Sequence, residues 1–174
     1  EAGSLEFEMF DSPARTAEYW QAVQEIERQS WKEAAGSALT ASLEQQRFYQ
    51  ALLPRAAAAG QWLSGLLRLD GRPVAYRMSV VFAGTAIGLK TSYVQDMKAY
   101  SPATVLQWMY LREIHRRGIR VFDFTGLCEP HKTRWTDDTY TLRTHRIFRR
   151  SPGGQLARLR HELGAQARRI IKQD

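Results

Sequence analysis

The segment covering residues 62–94 constrains the fold most strongly, because its hydrophobic residues follow a period of two. Residues 62–69 have the composition of a strand, and Asp70-Gly71 is a dipeptide typical of a two-residue hairpin turn. Two more strands surround a turn at Ala83-Gly84, with the alternating residues Val74, Tyr76, Met78, Val80 and Phe82, and then Ile87, Leu89, Thr91 and Tyr93. The pattern predicts an antiparallel three-stranded meander.

Segments with helical spacing lie on both sides of this meander. A strand at residues 5–10 and two helices precede it, and a helix with Pro102 in its first turn and Gly118 just past its end follows it. We expect a short strand at residues 121–124 in the centre of the sheet, and one more strand at residues 140–148. The apolar face expected for the second helix comprises Leu43, Phe48, Leu52, Leu53 and Ala56. This order predicts an α+β (α/β) fold, with a mixed, largely antiparallel central sheet flanked by helices.

A length of 174 residues suits one domain of ordinary size. We expect residues 1–150 to form this domain and residues 151–174 to form a basic amphipathic helix packed on it. Because arginines lie opposite the leucines of that helix, attachment to an anionic membrane surface is the alternative.

The composition argues against several classes of protein. The single cysteine cannot form an internal disulfide, no Cys/His cluster has zinc-ligand spacing, and no apolar run approaches the roughly 20 residues of a membrane span. We therefore expect no metal, no transmembrane segment and a cytoplasmic location, with a peripheral position on the inner membrane left open. The net charge of +7 suits an anionic partner such as a phosphorylated cofactor, nucleic acid or lipid headgroup.

Five short motifs narrow the possibilities further. They are Ser30-Trp31-Lys32, Leu69-Asp70-Gly71-Arg72-Pro73-Val74-Ala75, Tyr100-Ser101-Pro102-Ala103, Phe122-Asp123-Phe124-Thr125-Gly126 and His131-Lys132-Thr133-Arg134-Trp135. In their order and spacing the chain resembles the bacterial acetyltransferase-like branch of the GNAT superfamily found in cellulose and exopolysaccharide biosynthesis proteins, which is related to FemAB-type transferases. Members of that branch carry two related halves, and this chain resembles the C-terminal one. The resemblance implies an N-terminal GNAT-like half, or a homo-oligomer, as a partner.

The resemblance also implies acetyl-CoA or another acyl-CoA as cosubstrate, bound where two parallel strands splay apart. The residues that correspond to its binding site are Thr91, Ser92, Val94, Ser101, Ala103 and Thr104. The loop before the helix departs from the basic, glycine-rich pattern of the superfamily, since residues 100–104 contain neither glycine nor arginine and Pro102 has no N–H. A simple helix cap is therefore the alternative for Ser101-Pro102.

Acyl transfer requires a base for the acceptor and a proton source for the leaving thiolate. Asp123, between two phenylalanines, is the candidate acid or base, or else a structural carboxylate that accepts backbone N–H groups or pairs with Lys132 or an arginine. Tyr93 is the candidate proton donor, and Lys132 would neutralise a phosphate or position an acceptor carboxylate. Three residues are expected to border the acceptor: Trp31, Lys32 and Trp135.

These features predict transfer of an acyl group from acyl-CoA to an amine or hydroxyl acceptor, in cell-envelope or exopolysaccharide biosynthesis. A FemAB-like aminoacyltransferase that uses charged tRNA is the enzymatic alternative, because the basic second half would tolerate RNA. A non-catalytic GNAT-like docking module is the third hypothesis, which the atypical loop at residues 100–104 favours.

Overall fold

The computed structural model describes residues 3–143 and 145–170. The chain divides into two compact units, Glu1–Leu127 and Cys128–Asp174. The division expected at residue 150, with the last helix packed on the domain before it, stays a prediction.

The first unit contains a sheet of five strands in the order β1-β2-β3-β4-β5. The strands are β1 (Leu5–Phe10), β2 (Ser64–Leu69), β3 (Arg72–Phe82), β4 (Thr85–Tyr93) and β5 (Val121–Asp123). Neighbouring strands are antiparallel except β4 and β5, which are parallel. Both tight turns have positive φ at both positions, 50° and 77° at Asp70-Gly71 and 48° and 77° at Ala83-Gly84. The predicted meander is confirmed, with the turn conformation that matches the twist of a hairpin.

Helices cover both faces of this sheet. They are α1 (Thr16–Arg28), α2 (Trp31–Ala34), α3 (Leu43–Ala58) and α4 (Pro102–Arg116), with 3₁₀ turns at Pro13–Arg15, Leu39–Ala41 and Gln95–Tyr100. α1 and α3 pack on one face, where the buried residues include Tyr19, Val23, Ile26, Leu53, Tyr76 and Met78. α4 packs on the other face, against Leu63, Leu67, Ala75 and Ala86. The predicted fold class is confirmed.

Three local predictions are wrong. β5 forms an edge of the sheet and not its centre. The described residues of 140–148 form no strand, because alternation supplies no partner for the ladder of hydrogen bonds that defines one. In α3, Leu43 and Phe48 are 71% and 58% exposed, since the helix packs through Leu53, Ala56 and Ala57 instead.

The second unit contains α5 (Pro130–Thr133) and α6 (Pro152–Ile170). α6 begins directly after Ser151, with Pro152 as its first residue. None of the helices in the described part of the chain is long and apolar enough to cross a membrane.

Candidate active site

The parallel pairing of β4 with β5 ends early, and β4 continues beyond it. The strands are in register at three positions, from Thr85↔Val121 to Ile87↔Asp123. β4 runs on to Tyr93, whereas β5 ends at Asp123. Among the described residues, no other strand pairs with this edge of β4. The structure therefore has a parallel pair of strands, of which β4 extends beyond β5, at the place where the sequence resemblance implies a cofactor cleft.

A β-bulge in β4 lies just past the point where β5 ends. The register of β3 with β4 shifts between Met78 and Ser79, and Leu89 is the extra residue on β4. A bulge bends the strand that carries it and increases its local twist. This bend helps β4 to diverge from the direction of β5.

The backbone groups of β4 beyond the bulge divide between its two edges. Val94 donates its N–H to the carbonyl of Val74 on β3 at 2.9 Å. Since an antiparallel ladder alternates residue by residue, Ser92 also faces β3, whereas Thr91 and Tyr93 turn their N–H and C=O groups to the opposite edge. Of the three cofactor residues expected on this strand, Thr91 is the one whose backbone groups point to the edge away from β3, where a cofactor could bind. The backbone groups of Ser92 and Val94 face β3 within the sheet, which argues against direct backbone contacts between these residues and a cofactor.

Asp123 ends β5 and stabilises the turn that follows. Its Oδ1 accepts a hydrogen bond from the N–H of Thr125 at 2.7 Å, and the Thr125 hydroxyl donates to the carbonyl of Gly88 at 2.9 Å. Thr125 and Gly126 have φ values of 54° and 65°, so the chain turns here instead of extending β5. Asp123 therefore has the backbone-bonding role that was one of its two alternatives, while its role as acid or base stays a prediction.

Lys32 reaches the unpaired edge of β4 from α2. Its Nζ donates to the carbonyl of Thr91 at 2.5 Å. Burial lowers the pKa of the Lys32 ammonium group, repulsion from Lys90 and Arg77 adds to this effect, and attraction to Glu27 opposes it. Three cations and one carboxylate thus interact electrostatically around the strand that would carry the cofactor.

Glu27, the one carboxylate of this group, uses both of its oxygens in hydrogen bonds within the fold. It is 1% exposed. Its Oε1 accepts the hydroxyl of Tyr76 at 2.6 Å, and its Oε2 accepts the N–H of Leu39 at 2.6 Å. Burial raises the pKa of Tyr76 well above its ordinary value, so this hydroxyl remains a donor. Both oxygens of Glu27 are therefore used to join α1 to β3 and to the following turn.

Arg77, in the middle of β3, is a buried cation that forms no ion pair with the described residues. It is 9% exposed, and its Nε has no hydrogen-bond partner in the part of the chain that the structure describes. The guanidinium carbon lies 5.3 Å from the centroid of the Phe122 ring. Burial lowers the pKa of Arg77 to about 10, so the group is still protonated at neutral pH.

The N-terminus of α4 offers few N–H groups. Ser101, with a φ of 50°, donates its N–H to Lys98, and Thr104 donates its N–H to the carbonyl of Ser101 at 2.9 Å. Pro102 has no N–H to give. Of the three residues expected to bind cofactor here, only Ala103 presents an N–H without a backbone partner among the described residues. A pyrophosphate at this helix end would therefore depend on Ala103 and on the hydroxyls of Ser101 and Thr104.

The other expected site residues lie on several elements. Trp31 begins α2 and is 47% exposed, and Tyr93 is half-buried against apolar residues beneath α4. Lys132 and Trp135 belong to the second unit, where Lys132 pairs with Glu129 at 3.2 Å and accepts the N–H of Trp135 through its carbonyl. Their positions relative to Asp123 stay predictions.

Sequence reasoning missed Arg77, Gly88, Thr125 and Glu27. Two of them, Glu27 and Arg77, have a sequence context that could have identified them. Glu27 follows Val23 by four residues on the apolar face of α1, and Arg77 is the only charged residue within residues 73–82 of β3. A charge in an apolar stripe usually has a buried partner or a functional role.

Comparison with known proteins agrees with this geometry. The profile of the family described as "Acetyltransferase (GNAT) domain" matches residues 1–133. No curated protein matches the chain.

Several solved structures share the fold. A GCN5-related N-acetyltransferase from Ralstonia eutropha is 18% identical and has a TM-score of 0.57, over 83% of this chain and 99% of its own. An aminoglycoside N-acetyltransferase crystallised with CoA is 12% identical, with a TM-score of 0.53 over 84% of this chain and 97% of its own.

The ribosomal-protein-S18-alanine N-acetyltransferase from Escherichia coli is 13% identical, with a TM-score of 0.50 over 68% of this chain. The chain spans 64% of the length of that enzyme. At these identities the likeness shows the fold, and the family is shown by the profile, which covers most of the chain. From the profile match over residues 1–133 and from its fold, the chain belongs to the GNAT acetyltransferase family.

Proposed function

We propose that this domain transfers an acyl group from acyl-CoA to an amine or hydroxyl acceptor. The observation that supports the proposal best is the edge of β4 beyond its bulge, where Thr91 and Tyr93 direct backbone groups away from β3. An extended ligand with amide groups, such as pantetheine, can add to such an edge as a further strand would. The CoA complex of a structural neighbour adds weight to this choice of ligand.

The proposed chemistry is direct transfer. The acceptor nitrogen or oxygen attacks the thioester carbonyl and gives its proton to Asp123, the C–S bond breaks, and the CoA thiolate takes a proton from Tyr93. The Lys32 ammonium lies on the Thr91 carbonyl, where it would favour the negative charge that develops at the reacting centre. Ser101, Ala103 and Thr104 would hold the pyrophosphate.

The acceptor and the cellular setting come from the sequence motifs alone. We propose a sugar, lipid-linked or amino-acid acceptor in cell-envelope or exopolysaccharide biosynthesis, in the bacterial cytoplasm or on the inner membrane. In this proposal Trp31 borders the acceptor. An N-terminal GNAT-like half or a second copy of the chain would be the partner.

Calorimetric titration of the whole chain with acetyl-CoA tests the proposal. We expect saturable binding that free adenosine does not reproduce, because the pantetheine arm would pair with β4. Absence of acyl-CoA binding together with salt-dependent binding of charged tRNA would favour the aminoacyltransferase instead. Binding of neither ligand would favour the non-catalytic module, which the small number of N–H groups at the start of α4 supports.

The role of Asp123 needs a variant that keeps its structural hydrogen bond. Asp123→Asn retains a side-chain oxygen that can accept the N–H of Thr125 but removes the basic carboxylate. We expect unchanged acetyl-CoA affinity and a loss of turnover of about 100-fold or more, measured as release of CoA thiol with amine acceptors. Turnover equal to the wild type would show that Asp123 is not the base.

A further inference from the structure

The side chain of Arg77 projects beneath α4. Arg77 lies opposite Gly65 in the register of β2 and β3. A Cβ on Gly65 would meet Tyr110 at 3.1 Å and Leu106 at 3.4 Å, and both of these residues belong to α4. Because residues directly opposite each other in an antiparallel pair project from the same face, Arg77 also lies on the face that α4 covers.

The guanidinium group of Arg77 extends to the point where β4 and β5 separate. A Cβ on Gly88 would lie 3.3 Å from Arg77 Nη1, 3.1 Å from Phe122 Cζ and 3.3 Å from the carbonyl oxygen of Asp123. Gly88 is the first residue of β4 after the last pair with β5, Ile87↔Asp123. The cation therefore lies at the base of the proposed cofactor cleft, and glycine at position 88 leaves room for it.

Uncompensated buried charge is rare in native proteins, because removing a cation from water costs several kcal/mol unless a partner repays it. In the described chain no carboxylate forms an ion pair with Arg77, and its Nε lacks a hydrogen bond. The carboxylate of Glu27 is used by Tyr76 and Leu39, and Tyr76 projects from the opposite face of the sheet. Lys32 and Lys90 add positive charge to the same region and no compensation.

A second unsatisfied group lies on the buried stripe of α4. Gln107 is 2% exposed, and both its Nε2 and its Oε1 lack hydrogen-bond partners among the described residues. It precedes Tyr110 by three positions, so it lies on the same side of α4 as the ring that packs on Phe122. A buried amide or cation left unsatisfied in a folded protein requires an explanation, and an ordered water or a polar ligand supplies one.

We propose that Arg77 binds a carboxylate carried by one of the substrates, at the base of the cleft between β4 and β5. A carboxylate matches the planar fork of a guanidinium group with two parallel hydrogen bonds. Folding has already removed Arg77 from water, so the ligand alone has to be desolvated on binding. This inference rests on the proposed acyl transfer, since it specifies which substrates the same site accepts.

The carboxylate has two chemical sources. A dicarboxylic acyl group, as in malonyl-CoA or succinyl-CoA, would place it on the donor. An amino acid or a uronic acid would place it on the acceptor. The shared chemistry is one carboxylate within reach of Arg77, and the two arms of the experiment separate the sources.

The donor arm compares the affinities for succinyl-CoA, malonyl-CoA and acetyl-CoA in the whole chain and in Arg77→Met. If the donor carries the group, the wild type binds a dicarboxylic ester about tenfold or more tightly than acetyl-CoA, as expected for a charged hydrogen-bonded pair. Arg77→Met should reduce this ratio to about one, and Arg77→Lys should keep part of it. Arg28→Met removes one charge from the exposed end of α1 and should leave the ratio unchanged.

The acceptor arm titrates L-glutamate and D-glucuronate into the chain saturated with CoA. Binding that Arg77→Met abolishes and Arg28→Met does not would support an acceptor carboxylate. If acetyl-CoA binds equally to wild type and Arg77→Met and neither arm shows a carboxylate preference, the carboxylate site is refuted while the proposed acyl transfer stands. If no CoA ester binds and neither carboxylate does, both proposals fail.

Discussion

Replacing Arg77 by methionine should stabilise the unliganded protein. The pKa of Arg77 falls from its ordinary value of 12.5 to about 10 through burial. This difference corresponds to about 3 kcal/mol against folding at neutral pH. For a cation with a lowered pKa the penalty is complete below the folded value and is relieved only as the pH rises from about 10 toward 12.5.

Methionine has a similar reach and carries no charge, so it removes the penalty with little change in packing. The substitution also loses the contact between the guanidinium group and the Phe122 ring, worth about 1 kcal/mol. We therefore expect the free energy of unfolding of Arg77→Met to exceed that of the wild type by about 1–2 kcal/mol.

Urea unfolding at neutral pH, followed by tryptophan fluorescence, measures this difference. The denaturant midpoint should rise while the slope of free energy against urea stays constant, because the surface exposed on unfolding hardly changes. Arg28→Met, at an exposed position, should remain within about 0.5 kcal/mol of the wild type. A loss of stability in Arg77→Met would mean that Arg77 is compensated within the fold, and the reasoning for an absent carboxylate would then be wrong.

Two further predictions concern carboxylates that hold helices in place. Glu27→Ala leaves the Tyr76 hydroxyl and the Leu39 N–H without acceptors and should lower the free energy of unfolding by about 3–6 kcal/mol in the same urea assay. Glu27→Gln keeps one acceptor oxygen and should lower it by about half as much. Equal losses in the two variants would show that packing, and not these hydrogen bonds, dominates. Hydrogen bonds from Arg116, and also from Arg117, lower the pKa of Glu113 to about 2, and its titration midpoint measured by NMR should lie there. The contribution of Glu113 to stability should be present above about pH 4.5 and should be lost as the pH falls toward 2. A midpoint near 4.5 would contradict these contacts.

The meander and the helix that follows it could be predicted from sequence because their determinants are local. Asp70-Gly71 and Ala83-Gly84 allow the positive φ values that a two-residue hairpin needs, and the alternating residues between them fill the strand. Pro102 fixes the start of α4 in the same local way. The family motifs implied two neighbouring parallel strands beside the cofactor, and β4 and β5 do pair in parallel.

The role of single strand residues could not be predicted, because it depends on hydrogen-bond partners. Thr91 and Ser92 are adjacent in sequence, yet their backbone groups serve opposite edges of β4, and the bulge at Leu89 sets which edge each one faces. The same limit explains the strand expected at residues 140–148, since a suitable pattern does not create a neighbouring strand to pair with.

Arg77 shows most clearly where sequence information ends. Alternation along β3 places it on the face opposite Tyr76 and Met78, but a period of two is the same whether that face meets water or a helix. α4 returns across this face, and glycine at position 88 leaves space for the side chain. The sequence by itself determined the strands of the meander, its turns and the family, whereas the burial of one arginine at the base of the cleft follows from packing between segments distant in the chain.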